Sequence, residues 1–195
     1  MAIALASAAL TVSVAASAHG RAHAAPTQLI RLELAANALK PAVRLSQAGV
    51  IMFPMNPAPR CWMSKSSFGQ PRSGGRTHEG LDIMASLGQE VYAVDNGVLN
   101  RQSIDGAPNA TLSGNAWTMR LPDRTEYFYG HLSRFAEGLT LGATVTRGQL
   151  IGYVGDTGNP GVGNYHLHFG VFPKGGAAVD PLPLLTVPKA CTISA

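Results

Sequence analysis

Short runs of β-branched, aromatic and aliphatic residues, each soon broken by glycine, proline, asparagine or aspartate, dominate this chain from about residue 61 onward. Such runs occupy Val91 to Val94, Ala116 to Leu121, Thr125 to Tyr129, Gln149 to Val154 and His166 to Phe172. Turn signals separate them at Ser73-Gly74-Gly75, Asn96-Gly97, Asp105-Gly106, Pro122-Asp123 and along Gly155 to Gly163. Runs of this length and residue type, bounded by such clusters, predict an all-β fold: a compact antiparallel multi-strand sheet or β-sandwich. No internal repeat and no heptad pattern competes with that reading.

Upstream the pattern changes. Met1 to Ala24 is rich in Ala, Val and Leu, carries no charge before Arg21, and offers the small-residue patterns Ala16-Ser17-Ala18 and Ala22-His23-Ala24. These features predict a secretory signal peptide over residues 1–24 and an exported protein. Its uncharged start departs from the usual pattern, so an Ala-rich leader or an uncleaved anchor stays open. Serines and a threonine break the apolar run, which is short for a membrane span, so no stable span is expected. Residues 25–60 read as a short N-terminal extension. Within it Ile30, Leu32 and Leu34 alternate with Arg31 and Glu33 like a strand, whereas Leu34 to Lys40 suits a short helix. Residues 52–60 hold three prolines and read as a loop leading into a domain over 61–195.

Composition agrees with a small-stranded domain: 46% of the 195 residues are hydrophobic, only 13% are charged, and 22 are glycine. The formal charge is +4, but Lys and Arg are scattered without a basic run, so no nucleic-acid partner is expected. A polyanionic wall polymer suits the mild basicity equally well. Two cysteines are present, Cys61 and Cys191. In an oxidising compartment a disulfide between them is the favoured reading. It closes a loop of about 130 residues and contributes on the order of 4–5 kcal/mol in the chain-entropy picture. Two free thiols, or Cys61 as a metal ligand, are the alternatives.

The candidate chemistry lies in the histidines. Six occur, at 19, 23, 78, 131, 166 and 168, and the last four fall in three polar-apolar segments of the domain. His19 and His23 belong to the leader and are set aside. His166 and His168 stand two apart in the apolar run HLHFGVF, so in a strand both imidazoles face one side. A pair of exposed strand histidines without a role is the alternative. His78 and Asp82 are four apart with Gly80 between, which favours strand or loop over helix, and Glu79 would then point the other way. Histidine and aspartate are both zinc ligands. His131 follows Tyr127-Phe128-Tyr129-Gly130 and is expected at the end of that strand, on a cleft rim. Alone it reads as a turn histidine; jointly the five residues suggest metal-assisted chemistry.

The segments FGQPRSGGRTHEGLDI, AVDNGVL, YFYGHLS, VTRGQLIGYVGDTG and HLHFGV resemble, in order, the signature blocks of the lysostaphin/LytM-type zinc metallopeptidases. The resemblance covers about Phe68 to Leu185 and implies the duplicated hybrid motif fold. It implies one zinc held by His78, Asp82 and His168, with His131 and His166 as the catalytic pair. The implied activity is an exported zinc metalloendopeptidase cutting peptide crosslinks of peptidoglycan by a zinc-activated water, in the periplasm or cell envelope. A non-enzymatic module that binds peptidoglycan or activates a wall amidase is the alternative, and a hydrolase of another secreted peptide is a third reading. Peptidoglycan peptide is thus the expected partner, and a monomer the expected state. Gly155 to Gly163 is expected to form one cleft wall, with Tyr129, Tyr165 and Asn164 as candidate substrate contacts.

Overall fold

The structure is a computed structural model, and it describes residues 51–65 and 67–194. The leader, the ambiguous stretch Leu29 to Leu45, and His19 and His23 lie outside the described residues. The first strands are β1 (Trp62–Ser64), β2 (Pro71–Arg72), β3 (Arg76–Thr77), β4 (Leu81–Met84), β5 (Glu90–Tyr92) and β6 (Gly97–Ser103). They are followed by β7 (Asn115–Arg120), β8 (Glu126–Phe135), β9 (Thr144–Val145), β10 (Leu150–Val154), β11 (His166–Phe172) and β12 (Thr192–Ser194). Helical structure among the described residues is limited to three 3-10 turns, and no helix is long and apolar enough to cross a membrane.

Ten strands make one hydrogen-bonded sheet along β12-β1-β4-β11-β8-β7-β6-β9, with β10 joining β8 to β5 off that path. The strand pairs are antiparallel except β1 with β12. The strands β2 and β3 form a separate two-stranded ribbon. The all-β reading therefore holds, and His166 to Phe172 is a strand over the predicted residues.

Strand β8 runs further than its sequence suggests. Gly130 reads as a stop, yet β8 continues to Phe135 because it changes partner there. Glu126 to Gly130 pair with β11, whereas Leu132 to Phe135 pair with β10. Against β7, the register shifts between the pairs Trp117↔Tyr129 and Asn115↔Leu132, so Gly130 and His131 together oppose Ala116. This is a β-bulge, a device that re-aims side chains. His131 is accordingly inside a strand, not at its end, and takes a φ of +62°.

Trp117, Tyr129, Phe169, Met63, Ile83 and Leu132 are fully buried in one core. Burying side chains of this size contributes roughly 1.5–3 kcal/mol each. The indole N–H of Trp117 donates to the Ile151 carbonyl at 3.1 Å, and the Tyr129 hydroxyl accepts from the Val94 N–H at 3.1 Å. Tyr129 is thus a core residue and not a substrate contact. Ile51, Phe53 and Met55 are buried in the same core, so the proline-containing segment before β1 packs with the domain. Met55 bridges to Val91, and Ile51 exchanges backbone hydrogen bonds with Leu184 and Thr186. A Cys61–Cys191 disulfide ties the start of β1 to the start of β12, which rules out both the free thiols and the metal-bound Cys61 considered above.

Candidate metal centre

Three adjacent strands bring the polar residues together. His168 on β11 is the register partner of Asp82 on β4 and of Gly130 on β8. Directly opposed residues of antiparallel strands share a face with their side chains a few ångströms apart. Asp82 Oδ1 accordingly lies 2.9 Å from His168 Nδ1. His78, in the loop before β4, completes the group: its Nε2 is 2.9 Å from Asp82 Oδ1 and 2.9 Å from His168 Nδ1. Gly80 makes room for this approach, since a Cβ there would sit 2.5 Å from His168 Nε2.

The far side of His78 orients its ring. Its Nδ1 lies 2.6 Å from the Ser67 carbonyl oxygen, which can only accept, so Nδ1 carries the proton. Nε2 then faces a carboxylate oxygen and His168 Nδ1. Acceptors at that separation repel unless a proton or a cation lies among them. Burial lowers the pKa of His168, which favours the neutral imidazole. Burial alone would raise Asp82, but contact with His168 and His78 outweighs it and holds the carboxyl well below the usual carboxylate range. Two imidazole nitrogens and one carboxylate oxygen, with a backbone carbonyl orienting one ring, form a donor set that zinc accepts. His78, Asp82 and His168 fit the ion.

The other carboxylate oxygen, Asp82 Oδ2, receives Arg72 Nη2 at 2.8 Å. Nothing in the residue pattern announces this contact, because Arg72 lies ten positions earlier and reaches back from the β2–β3 ribbon.

His131 and His166 stand beside the cluster with rings 4.7 Å apart. Their orientation repeats the logic of His78. His131 Nδ1 donates to the Thr157 carbonyl at 2.9 Å, and His166 Nδ1 to the Asn164 carbonyl at 2.8 Å. Each ring therefore leaves Nε2 free of that backbone contact, that of His166 lying 3.7 Å from Asp82 Oδ1. Burial, then the neighbouring His166, lowers the pKa of His131 to about 4, so it is neutral at physiological pH.

All five residues line a cleft of about 320 Å³. Asn159 and Pro160 place the glycine-rich loop in its wall, and Asn164 lines it as expected. Glu79 lines it too, contrary to the extended-strand reading, because His78 to Gly80 is loop. Tyr165 is half-buried against the core and does not line the cleft.

The sequence signature of peptidase family M23 matches residues 76–181, a span that contains all five residues. The chain belongs to peptidase family M23. It is 33% identical over 133 residues to the L-Ala–D-Glu endopeptidase of Bacillus subtilis (strain 168), covering 62% of this chain and 39% of that protein. It is 36% identical over 96 residues to the DD-carboxypeptidase/endopeptidase Mpg of Neisseria meningitidis serogroup B (strain ATCC BAA-335 / MC58), covering 48% of this chain and 20% of that protein. The chain thus spans well under half the length of these relatives. Among solved structures, a zinc containing peptidase from Vibrio cholerae superposes with a TM-score of 0.53 at 25% identity, over 65% of this chain and 37% of that one. The catalytic domain of the prophage-encoded M23 protein EnpA from Enterococcus faecalis gives 0.51 at 25% identity, over 66% of this chain and 93% of that one. This M23 domain is therefore similar in fold to peptidase catalytic domains.

Proposed function

We propose that this M23 domain is an exported zinc metalloendopeptidase that hydrolyses peptide crosslinks of peptidoglycan. His78, Asp82 and His168 would hold one zinc, and His131 and His166 would handle protons. The observation that carries the reading is the convergence of two imidazole nitrogens, His78 Nε2 and His168 Nδ1, on one Asp82 carboxylate oxygen, with two further oriented imidazoles at hand. Zinc in such a site supplies Lewis-acid polarisation of a peptide carbonyl and lowers the pKa of water toward neutrality. The protein's own part is orientation and proton movement. With Nδ1 pinned to backbone carbonyls, His131 and His166 can take a proton only at Nε2, on the cleft side, and return it to the departing amine. His131 and His166 are themselves buried, which strengthens these contacts relative to open water.

The names of the relatives, an L-Ala–D-Glu endopeptidase and a DD-carboxypeptidase/endopeptidase, describe bonds found in peptidoglycan stems and crosslinks. The Cys61–Cys191 disulfide suits an oxidising compartment, and so supports export. Metal analysis of the purified chain, followed by mass spectrometry of wall fragments released from purified sacculi, tests the reading. One zinc per chain and new amino termini are expected. Absence of zinc after supplementation, or intact crosslinks with zinc bound, would overturn it.

A further inference from the structure

The β2–β3 ribbon at the cleft mouth is hard to explain by packing alone. Every residue of both strands is exposed, so neither guanidinium on it serves the core. Arg72 and Arg76 are nonetheless register partners, placed directly across from each other. Like charges in that arrangement repel and destabilise a strand pair. The ribbon is also fixed at its base to the metal-centre loop: the Gly69 N–H donates to the His78 carbonyl at 2.9 Å, and the His78 N–H to the Gln70 carbonyl at 2.9 Å. Its position therefore follows that of His78.

The two arginines differ in what they hold. Arg72 is committed to Asp82 at 2.8 Å. Arg76 has no carboxylate partner among the described residues. Its Nε donates to the Ser73 carbonyl at 3.2 Å, and one Nη2 hydrogen makes a long 3.5 Å contact with the Ser73 hydroxyl. A guanidinium has five N–H donors in a fixed fork, so the Nη1–Nη2 edge remains free. That edge matches the two oxygens of a carboxylate. Glu79 is the other charged lining residue outside the metal set, and it makes no ion pair with Arg76. The wall supplied by Leu112, Ser113, Asn159, Pro160 and Asn164 carries no charge. A peptide lying in the cleft therefore meets, among the described residues, one unpaired cation, on the ribbon side.

We infer that Arg76 is a carboxylate-reading residue, and that the cleft selects wall peptides with a free carboxylate near the scissile bond over uncharged oligoglycine bridges. This rests on the peptidase reading above and names its substrate class.

Four synthetic peptides with acetylated N-termini test it: a crosslinked stem peptide with its carboxylates free, the same peptide amidated on its side chains, the same peptide amidated at its C-terminus, and pentaglycine amidated at its C-terminus. Binding is measured by calorimetry on the zinc-loaded full chain carrying His131→Ala, which separates recognition from turnover. The free-carboxylate peptide should bind roughly tenfold tighter than one amidated form, as a charge-assisted contact of this kind allows. Which amidation removes the advantage identifies a side-chain or a terminal carboxylate as the ligand. Adding Arg76→Gln should bring the ratio near one, and Arg76→Lys, which keeps the charge without the fork, should leave an intermediate ratio. Equal binding of all four peptides, or a ratio that survives both Arg76 variants, overturns the inference. Cleavage by the unmodified chain is scored separately. Preference without cleavage sinks the peptidase reading alone, and cleavage without preference sinks this inference alone.

Discussion

His131 donates through Nδ1 to the Thr157 carbonyl at 2.9 Å, and the Thr157 hydroxyl donates to the carbonyl of Leu132, the next residue along β8, also at 2.9 Å. One residue of the glycine-rich loop thus grips both the ring and the backbone of the bulge. The same hydroxyl accepts the Asn115 N–H at 2.9 Å, and a Cβ on Gly114 would come within 2.3 Å of Thr157. His131 also gives its backbone N–H to Ser113 at 2.9 Å. A non-glycine residue at positive φ costs on the order of 1–3 kcal/mol, and these contacts offset it.

Replacing Thr157 by Val removes the hydroxyl while keeping the shape. Wall hydrolysis should fall about tenfold or more, and stability by about 1–3 kcal/mol, since the Leu132 carbonyl and Asn115 N–H lose their partner. Zinc content should not change, and Thr157→Ser should restore most of the rate. Metal analysis, melting curves and initial rates on the three proteins decide it. A variant that loses zinc as readily as rate would place Thr157 in the metal site rather than behind His131.

A ligand and a proton-handling residue differ in what their loss removes. His168→Ala should abolish both zinc binding and activity. His131→Ala should keep zinc and lose roughly a hundredfold or more in rate, the usual range for a proton-transfer group. Side-by-side zinc titration and turnover measurements test the division. Equal loss of zinc in both would show that His131 is itself a ligand.

How much of this is legible in the chain differs from residue to residue. The shared face of His166 and His168 is, because alternation within one apolar run fixes it. The pairing of Asp82 with His168 is not, because it depends on register between strands 86 positions apart. Strand β8 reads as ending before Gly130 because glycine normally ends a run, and only the two partner strands explain its continuation as a bulge. Phe53 and Met55 read as loop because prolines surround them. Proline forbids ladder donation but not burial of its neighbours. Arg72 is not legible either, since its role depends on the reach of a side chain from the ribbon to Asp82.

Gly80 gives a steric test of the metal centre. An added methyl would overlap His168 Nε2 and Cε1 at 2.5 and 2.7 Å and the backbone oxygen of Phe169 at 2.7 Å. The backbone oxygen cannot yield without disturbing β11, so His168 must turn. Gly80→Ala should therefore weaken zinc binding by roughly 10–100-fold, as disturbance of ligand orientation does elsewhere. Competition with a chelator of known affinity reads this directly. Wild-type zinc affinity in Gly80→Ala would show that the ring tolerates displacement.

The last expectation concerns pH and the metal-free fold. Burial, reinforced by His166, holds His131 at about 4 against an ordinary value of 6.5. Between those values the unfolded chain binds a proton at this position that the folded chain does not. Stability then rises with pH wherever the unfolded state binds more protons, so here it must fall as pH drops from about 6.5 toward 4. Asp82 acts outside this window, since its depressed carboxyl contributes stability that is lost only at lower pH. Melting temperatures of chelator-treated protein should accordingly decline steadily from pH 7 to 4.5. His131→Gln keeps a ring-sized polar side chain but has no group that titrates there, and its decline should be shallower. Parallel slopes for the two proteins would mean that His131 gains its proton in the folded state as easily as in the unfolded one, and that its burial has no consequence for acid stability.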